Sequence, residues 1–427
     1  MNFLKKVLVV IILSFFLSNI FGEPSQCSKI AASKHLNEKI TQLVNAERLK
    51  YSLPALSVSI SLPIEQSTRN YVSGYLTRDD NKEINSNTIF QVGSITKTFT
   101  AVLILKLAEE NKLVLNEKIS HWLPEYPKWQ NITVTNLLTH TSGAYDVIDT
   151  PNFWQTLKAD PQRHWSLQDL ANLAYAQPNY FPPGMSYKYT NTDYILLGLI
   201  IERVTHQPLT QAYNEYLLNP NKYDLIDTYY TANGYPHKIL NNLAHGYDDE
   251  GTFGYNVDVT NLSTSFGSSA SAIVSTPKDL IYWLKQLNSG KIISNESLQL
   301  MHTLYSEQNG QLLNLKQFLQ TNNLNNNPWM DVGEGMGMGL VYFRNYGFVW
   351  AHAGGTPGYQ SFYAYNPCKN IYVVLMYNVQ PKQSFVFLQI AAEIFKTLNQ
   401  SALVKKEVIK YQKTGSIPFY CTYQQGK

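Results

Sequence analysis

The stretch Gly93-Ser94-Ile95-Thr96-Lys97 opens an apolar run that continues to Lys112. The spacing predicts a long helix over 95–112 with a glycine turn in front of it. Residues three apart on a helix share a face, so this reading sets the Lys97 amine beside the Ser94 hydroxyl. A serine hydroxyl is a poor nucleophile until a base takes its proton. Lysine can be that base where burial lowers its pKa. A serine at a helix start also has free backbone N–H groups and the positive dipole end nearby. The pattern alone does not single out Ser94, because Ser275-Thr276-Pro277-Lys278 repeats it. There Pro277 suits a first helical position, and Thr276 with Asp279 reads as an N-cap and capping box.

Working outward, residues 35–50 carry apolar side chains at helical spacing (Leu36, Ile40, Leu43, Val44). Residues 55–62 alternate like a strand, and 70–76 suggest a second. From about 115 to 290 the chain reads as helical pieces between Pro and Gly turns, one of them 193–204. Strand signals return at 339–343, 348–351, 360–365 and 371–378, and a last helix is expected over 384–398. The polar segment 307–327 reads as a long surface loop. Strands at both ends around a helical middle predict an α/β (α+β) fold. One mostly antiparallel sheet, flanked by helices, would be built from about 35–95 and 290–398. An all-helical domain, about 96–289, would be inserted between the halves, and 399–427 would form a C-terminal extension.

Two further groups stand out. Tyr189-Thr190-Asn191 follows the turn Pro182-Pro183-Gly184 and precedes the helix expected from Asp193. In extended chain Tyr189 and Asn191 point the same way. A phenol can relay protons and an amide can orient a polar substrate. His352-Ala353-Gly354-Gly355 lies between two late strand signals. Glycines there let a substrate backbone lie along the strand edge. The Gly355 N–H could share an oxyanion with the N–H of Ser94.

Lys5 and Lys6 precede an apolar run from Val7 to Phe21, followed by Gly22. This is the layout of an export signal over 1–22, with the mature chain starting near Glu23 in a periplasmic or secreted setting. The run is shorter than the roughly 20 residues a membrane span requires, and no later run is apolar enough, so no span is expected after signal removal. The formal net charge of +3 over 427 residues, with no Lys/Arg run, argues against a nucleic-acid partner. The nine histidines form no HExxH and there is no CxxC, so neither a metal nor a cofactor is expected. Of Cys27, Cys368 and Cys421, the near-terminal Cys27 and Cys421 are the expected pair. No Gly-x-Ser-x-Gly elbow is present.

In order and separation, Ser94-x-x-Lys97, Tyr189-x-Asn191 and His352-x-Gly354 resemble the motifs of the penicillin-recognising serine hydrolases. That group joins class C β-lactamases, serine D-alanyl-D-alanine peptidases and related esterases. Framing segments match as well: Leu137-Leu138-Thr139-His140-Thr141-Ser142-Gly143 and Thr356-Pro357-Gly358. The resemblance covers roughly 35–398. It implies that Ser94 forms an acyl-enzyme, that Lys97 and Tyr189 handle its proton, and that Asn191 and His352 line the site. Water then releases the acyl group. His140 has no chemical role by that resemblance, and 139–143 reads as a helix end capped by Gly143.

Two departures bear on the substrate. His352 stands where the β-lactamases of this group have lysine, so it is a weaker fixed anchor for a carboxylate. Ala353 stands where a hydroxyl usually binds that carboxylate, and Thr356 is the nearest replacement. Losing one charge-assisted hydrogen bond costs about 1.5–3 kcal/mol. The resemblance therefore implies an esterase or D-Ala peptidase-like enzyme acting on a small ester or amide, or on a peptidoglycan-type peptide. A β-lactamase and a non-turnover penicillin-binding sensor are the alternatives.

Overall fold

The protein is described by a computed structural model over residues 26–422, except 64, 66, 325, 415 and 416. The expected export signal lies outside the described residues. Helix α1 (Gln26–Lys50) carries Leu36, Ile40 and Val44 four residues apart, and all three are buried against the sheet that follows. That sheet has seven strands: β1 (Ala55–Ser61), β2 (Arg69–Gly74), β3 (Trp329–Glu334), β4 (Gly339–Phe343), β5 (Gly347–Thr356), β6 (Tyr359–Asn366) and β7 (Ile371–Tyr377). Their order is β2-β1-β7-β6-β5-β4-β3, and every pairing is antiparallel. Residues 56–61 pair with 372–377, so the first and last strands are neighbours inside the sheet.

Alternation along β1 shows how the sheet is layered. Leu56, Val58 and Ile60 face α1 and α5 (Val386–Gln400). Ser57, Ser59 and Ser61 point to the opposite face, where helix α4 (Pro277–Asn288) packs across β1 and β7. The interior strand β7 is buried along its whole length, as a strand covered on both faces must be.

Helix α2 (Thr96–Glu109) is apolar on nearly all sides and runs through the second core, where Phe99 stacks on Trp283 at 4.1 Å. It packs on α3 (Asn191–Thr205), the centre of the helical region. A small ladder fixes the approach to α2: Phe90–Gln91 pairs with Ile273–Ser275, which pairs with Tyr229–Tyr230.

Three expectations are corrected. Cys421 bonds Cys368, in the β6–β7 turn, and so does not pair with Cys27. The C-terminal segment forms helix α6 (Ala402–Thr414) against α1 and α5, then lays Tyr420 on Phe348 and Trp350 of β5. The tail therefore reaches the β6–β7 turn, and chain order gave no sign of it. The stretch 307–327 is not a continuous loop, since Leu315–Thr321 is helical with the Asn314 side chain accepting from the Gln317 N–H. Nor does Gly143 cap the helix Val134–Leu138. His140 is the left-handed residue after that helix, at φ 56°, while Gly143 lies where the Phe181 carbonyl leaves no room for a Cβ. At Ser275 the N-cap reading holds, since Thr276 accepts from the Asp279 N–H at 3.1 Å and Pro277 begins α4, but the expected capping box does not form. The Asp279 carboxylate turns away, to the Asp227 N–H and the Thr228 hydroxyl.

Candidate active site

Ser94 sits in a single 3-10 turn, Gly93–Ile95, that leads into α2. The Ser94 N–H is thus in a first turn, where a helix offers no internal acceptor. Gly93 has φ +52°, and a Cβ there would stand 2.6 Å from the Gly355 nitrogen. Only glycine lets this turn lie against β5. Strand β4 pairs with β5 only as far as Ala351, so beyond it the edge of β5 is open to the Ser94 turn.

Lys97 is completely buried. Its Nζ lies 3.1 Å from Ser94 Oγ, 2.8 Å from Asn191 Oδ1 and 3.2 Å from the Ala270 carbonyl. The last two can only accept. They use the two hydrogens of a neutral amine and leave its lone pair for the serine hydroxyl. Burial pulls the Lys97 amine from 10.5 down to about 7, against the opposing pull of Asp146, Asp193 and Glu334.

Tyr189 and Asn191 do not share an extended segment. Thr190 is the N-cap of α3, accepting from the Asp193 N–H, and Asn191 is already helical. The two side chains nevertheless converge on Lys97, whose Nζ lies 4.8 Å from the Tyr189 ring centre. Burial raises the pKa of the Tyr189 phenol and outweighs the opposing influence of the Ser94 side chain, so it stays protonated. The buried Asp146 accepts from the Asn191 backbone N–H at 3.1 Å and from Nδ2 at 3.2 Å. This turns the Asn191 amide oxygen toward Lys97. Burial raises the Asp146 carboxyl, and the Asn191 N–H and Lys97 oppose that rise.

His352 Nδ1 lies 2.6 Å from the Ala353 carbonyl and therefore carries the proton of a neutral ring. Burial and the Lys97 charge pull its pKa down to about 4. The position that would need a fixed cation to hold a carboxylate is thus uncharged. Gly355 is exposed beside the Ser94 turn. Gly354 is buried and faces inward: its missing side chain makes room for the Val92 carbonyl, and a Cβ would come within 1.9 Å of that oxygen. Thr356 does not replace the hydroxyl absent at Ala353, because it is buried and donates to Gln91 Oε1 at 2.6 Å.

Sequence reasoning missed Asp146 and a buried pair beneath Tyr189. His140 Nδ1 meets Asp193 Oδ2 at 3.1 Å, and Ser142 Oγ donates to the other Asp193 oxygen. The His140 ring lies 4.4 Å from that of Tyr189. The one available signal was that His140 and Ser142 fall in the Leu137–Gly143 segment. Two recesses reach residues of the site. One of about 470 Å³ is lined by Tyr187, Tyr189, Glu334 and His352, and one of about 270 Å³ by Trp154, Phe253, Gly355 and Gln360.

A serine at a helix start, held by a buried low-pKa lysine under a protonated phenol, is the equipment of a serine hydrolase that works through an acyl-enzyme. The chain belongs to the beta-lactamase family, whose profile matches residues 37–393. It is 32% identical over 134 residues to penicillin-binding protein 4* of Bacillus subtilis, covering 31% of this chain and 29% of that one. It is 31% identical over 218 residues to a beta-lactamase of Lysobacter lactamgenus, covering 50% and 51%. The chain thus spans between about a third and a half of the curated relatives it matches. Among solved structures, D-amino acid amidase from Ochrobactrum anthropi superposes with a TM-score of 0.71 at 22% identity, covering 86% of this chain and 99% of that one. A penicillin-binding protein from Bacillus halodurans gives 0.66 at 23%, covering 82% and 99%. At these identities the superpositions speak for the fold.

Proposed function

We propose that the protein is an exported serine hydrolase that cleaves a small ester or amide, as an esterase or a D-amino acid amidase or D-Ala peptidase-like enzyme. The observation that carries this is the set of three partners of Lys97. The amine takes the Ser94 proton as Oγ adds to the carbonyl carbon. The N–H groups of Ser94 and Gly355 receive the developing oxyanion. Tyr189 donates its phenol proton to the leaving group, and the proton on Lys97 restores it. Water then attacks the acyl-Ser94 ester. The neutral His352 and the committed Thr356 remove both usual anchors for a substrate carboxylate, which disfavours β-lactams. Export is supported by the Lys5–Gly22 pattern and by the Cys368–Cys421 disulfide, a bond suited to an oxidising, periplasmic or extracellular milieu.

The test is to incubate the protein with a chromogenic ester, a D-amino acid amide, a chromogenic cephalosporin and a fluorescent penicillin. Turnover of the ester or amide is expected to exceed that of the cephalosporin and to vanish in Ser94→Ala. A stable penicillin label with no turnover of anything would instead favour the sensor reading.

A further inference from the structure

The recess beside Tyr189 and His352 holds a group that the mechanism above does not use. Strand β3 has a bulge: Asp331 lies opposite Val341, Gly333 opposite Leu340, and Glu334 opposite Gly339. Residues three apart on a regular strand point to opposite faces. The extra residue, Val332, reverses this, so Asp331 and Glu334 face the same side as Val341 and Gly339. Glu307 joins them in the lining of the recess. Three carboxylates thus line one recess beside Tyr189 and His352, with no arginine or lysine in its lining.

The innermost of these is built in. Glu334 Oε1 is shut off from solvent and has no hydrogen-bond partner. Its other oxygen occupies the room left by glycine at position 339, where a Cβ would stand 2.9 Å from Oε2. Burial, with Glu307 and Asp331 nearby, pushes the carboxyl well above the usual carboxylate range, against the opposing pull of Lys97. An enclosed, unpartnered carboxylate is costly until a cation or donor meets it. Among the described residues no three His, Cys, Asp or Glu side chains converge as metal ligands. The recess, about 470 Å³, has room for an organic cation. The lining also holds apolar side chains, among them Phe362, Phe387 and Leu388.

We propose that this recess binds a protonated amine of the substrate through Glu334, with Glu307 and Asp331 at its mouth, and so selects cationic esters or amides over neutral and anionic ones. The proposal rests on the hydrolase reading above for its catalytic consequence, but the binding itself does not depend on turnover. The deciding experiment uses full-length Ser94→Ala protein with two probes of one shape, benzylammonium and benzyl alcohol, and measures affinity by NMR titration. The expected result is at least about tenfold tighter binding of the cation, falling to within about threefold in the added Glu334→Gln background. The mouth variant Glu307→Gln/Asp331→Asn is expected to weaken the cation at least about twofold and keeps the test open if Glu334→Gln does not fold. Equal affinity for the two probes, or a preference unchanged in every variant that folds, overturns the proposal. In the wild type, benzylammonium should raise the KM of a neutral ester without lowering kcat; inhibition of kcat alone contradicts a subsite next to Ser94. If the wild type turns over no ester or amide, the hydrolase reading fails, and the binding arm still decides the subsite.

Discussion

The pH dependence of acylation can be worked from the surroundings of Lys97. Bringing a lysine from 10.5 to about 7 represents about 5 kcal/mol of bias toward the neutral amine. At pH ~8 roughly nine-tenths of Lys97 is then neutral, against about 0.3% of an ordinary lysine, a factor of about 300 in available base. The base works only when neutral, so kcat/KM for a neutral ester should rise with pH, with a midpoint near 7, and level off above it. Asp146 is the leading charge holding the amine up. Asp146→Asn should therefore move the midpoint down, by about half to one pH unit. Stopped-flow acylation between about pH 5 and pH 9 measures both. A rate flat over that range, or a midpoint that rises in Asp146→Asn, refutes the assignment of Lys97 as the base. Lys97→Ala should lose about two to four orders of magnitude in acylation with its fold intact by circular dichroism.

Other perturbations follow from the same geometry. His302 stacks on Trp350 at 4.1 Å, and burial lowers its pKa from 6.5 to about 4. Below pH 6.5 the unfolded chain takes up a proton that the folded His302 refuses until about pH 4. Stability is therefore lost as pH falls through that window, by up to about 3 kcal/mol. His302→Phe, which keeps the stacking, should become more stable than the wild type by a margin that grows over that window in urea titrations. Gly93→Ala forces a Cβ against the Gly355 nitrogen. It should cost about 1–3 kcal/mol in unfolding free energy and about a hundredfold or more in kcat, measured by calorimetry and steady-state rates. Cys368→Ser/Cys421→Ser opens a cross-link between residues 53 apart. It should lower urea stability by about 2–4 kcal/mol while leaving ester turnover at ambient temperature unchanged.

The elements that carry chemistry were legible because their signals are local. Gly93, Ser94 and Lys97 are bound by helix spacing, and the apolar alternation of β1 with the apolar runs of the late strands places a sheet at both ends of the chain. Where the signal was not local, reading failed. Strand β3 was missed because its bulge at Val332 breaks the alternation and its neighbourhood is rich in Asn. The Cys368–Cys421 bond depends on α6 turning back across α1, which no cysteine spacing encodes. Asp146 and Glu334 act on residues some 45 to 240 positions away, so their roles exist only once the chain is folded. Gly354 looked like a substrate contact by its place in a motif, yet its space is taken by Val92.

The central claim, that Ser94 is the acylated nucleophile, is tested most directly by trapping the intermediate. The protein is quenched in acid during turnover of a chromogenic ester, digested and mapped by mass spectrometry. The account predicts the acyl mass on the peptide containing Ser94, none on the peptide containing Ser275, and no adduct in Ser94→Ala. An acyl group on any other residue, or full esterase activity in Ser94→Ala, contradicts it.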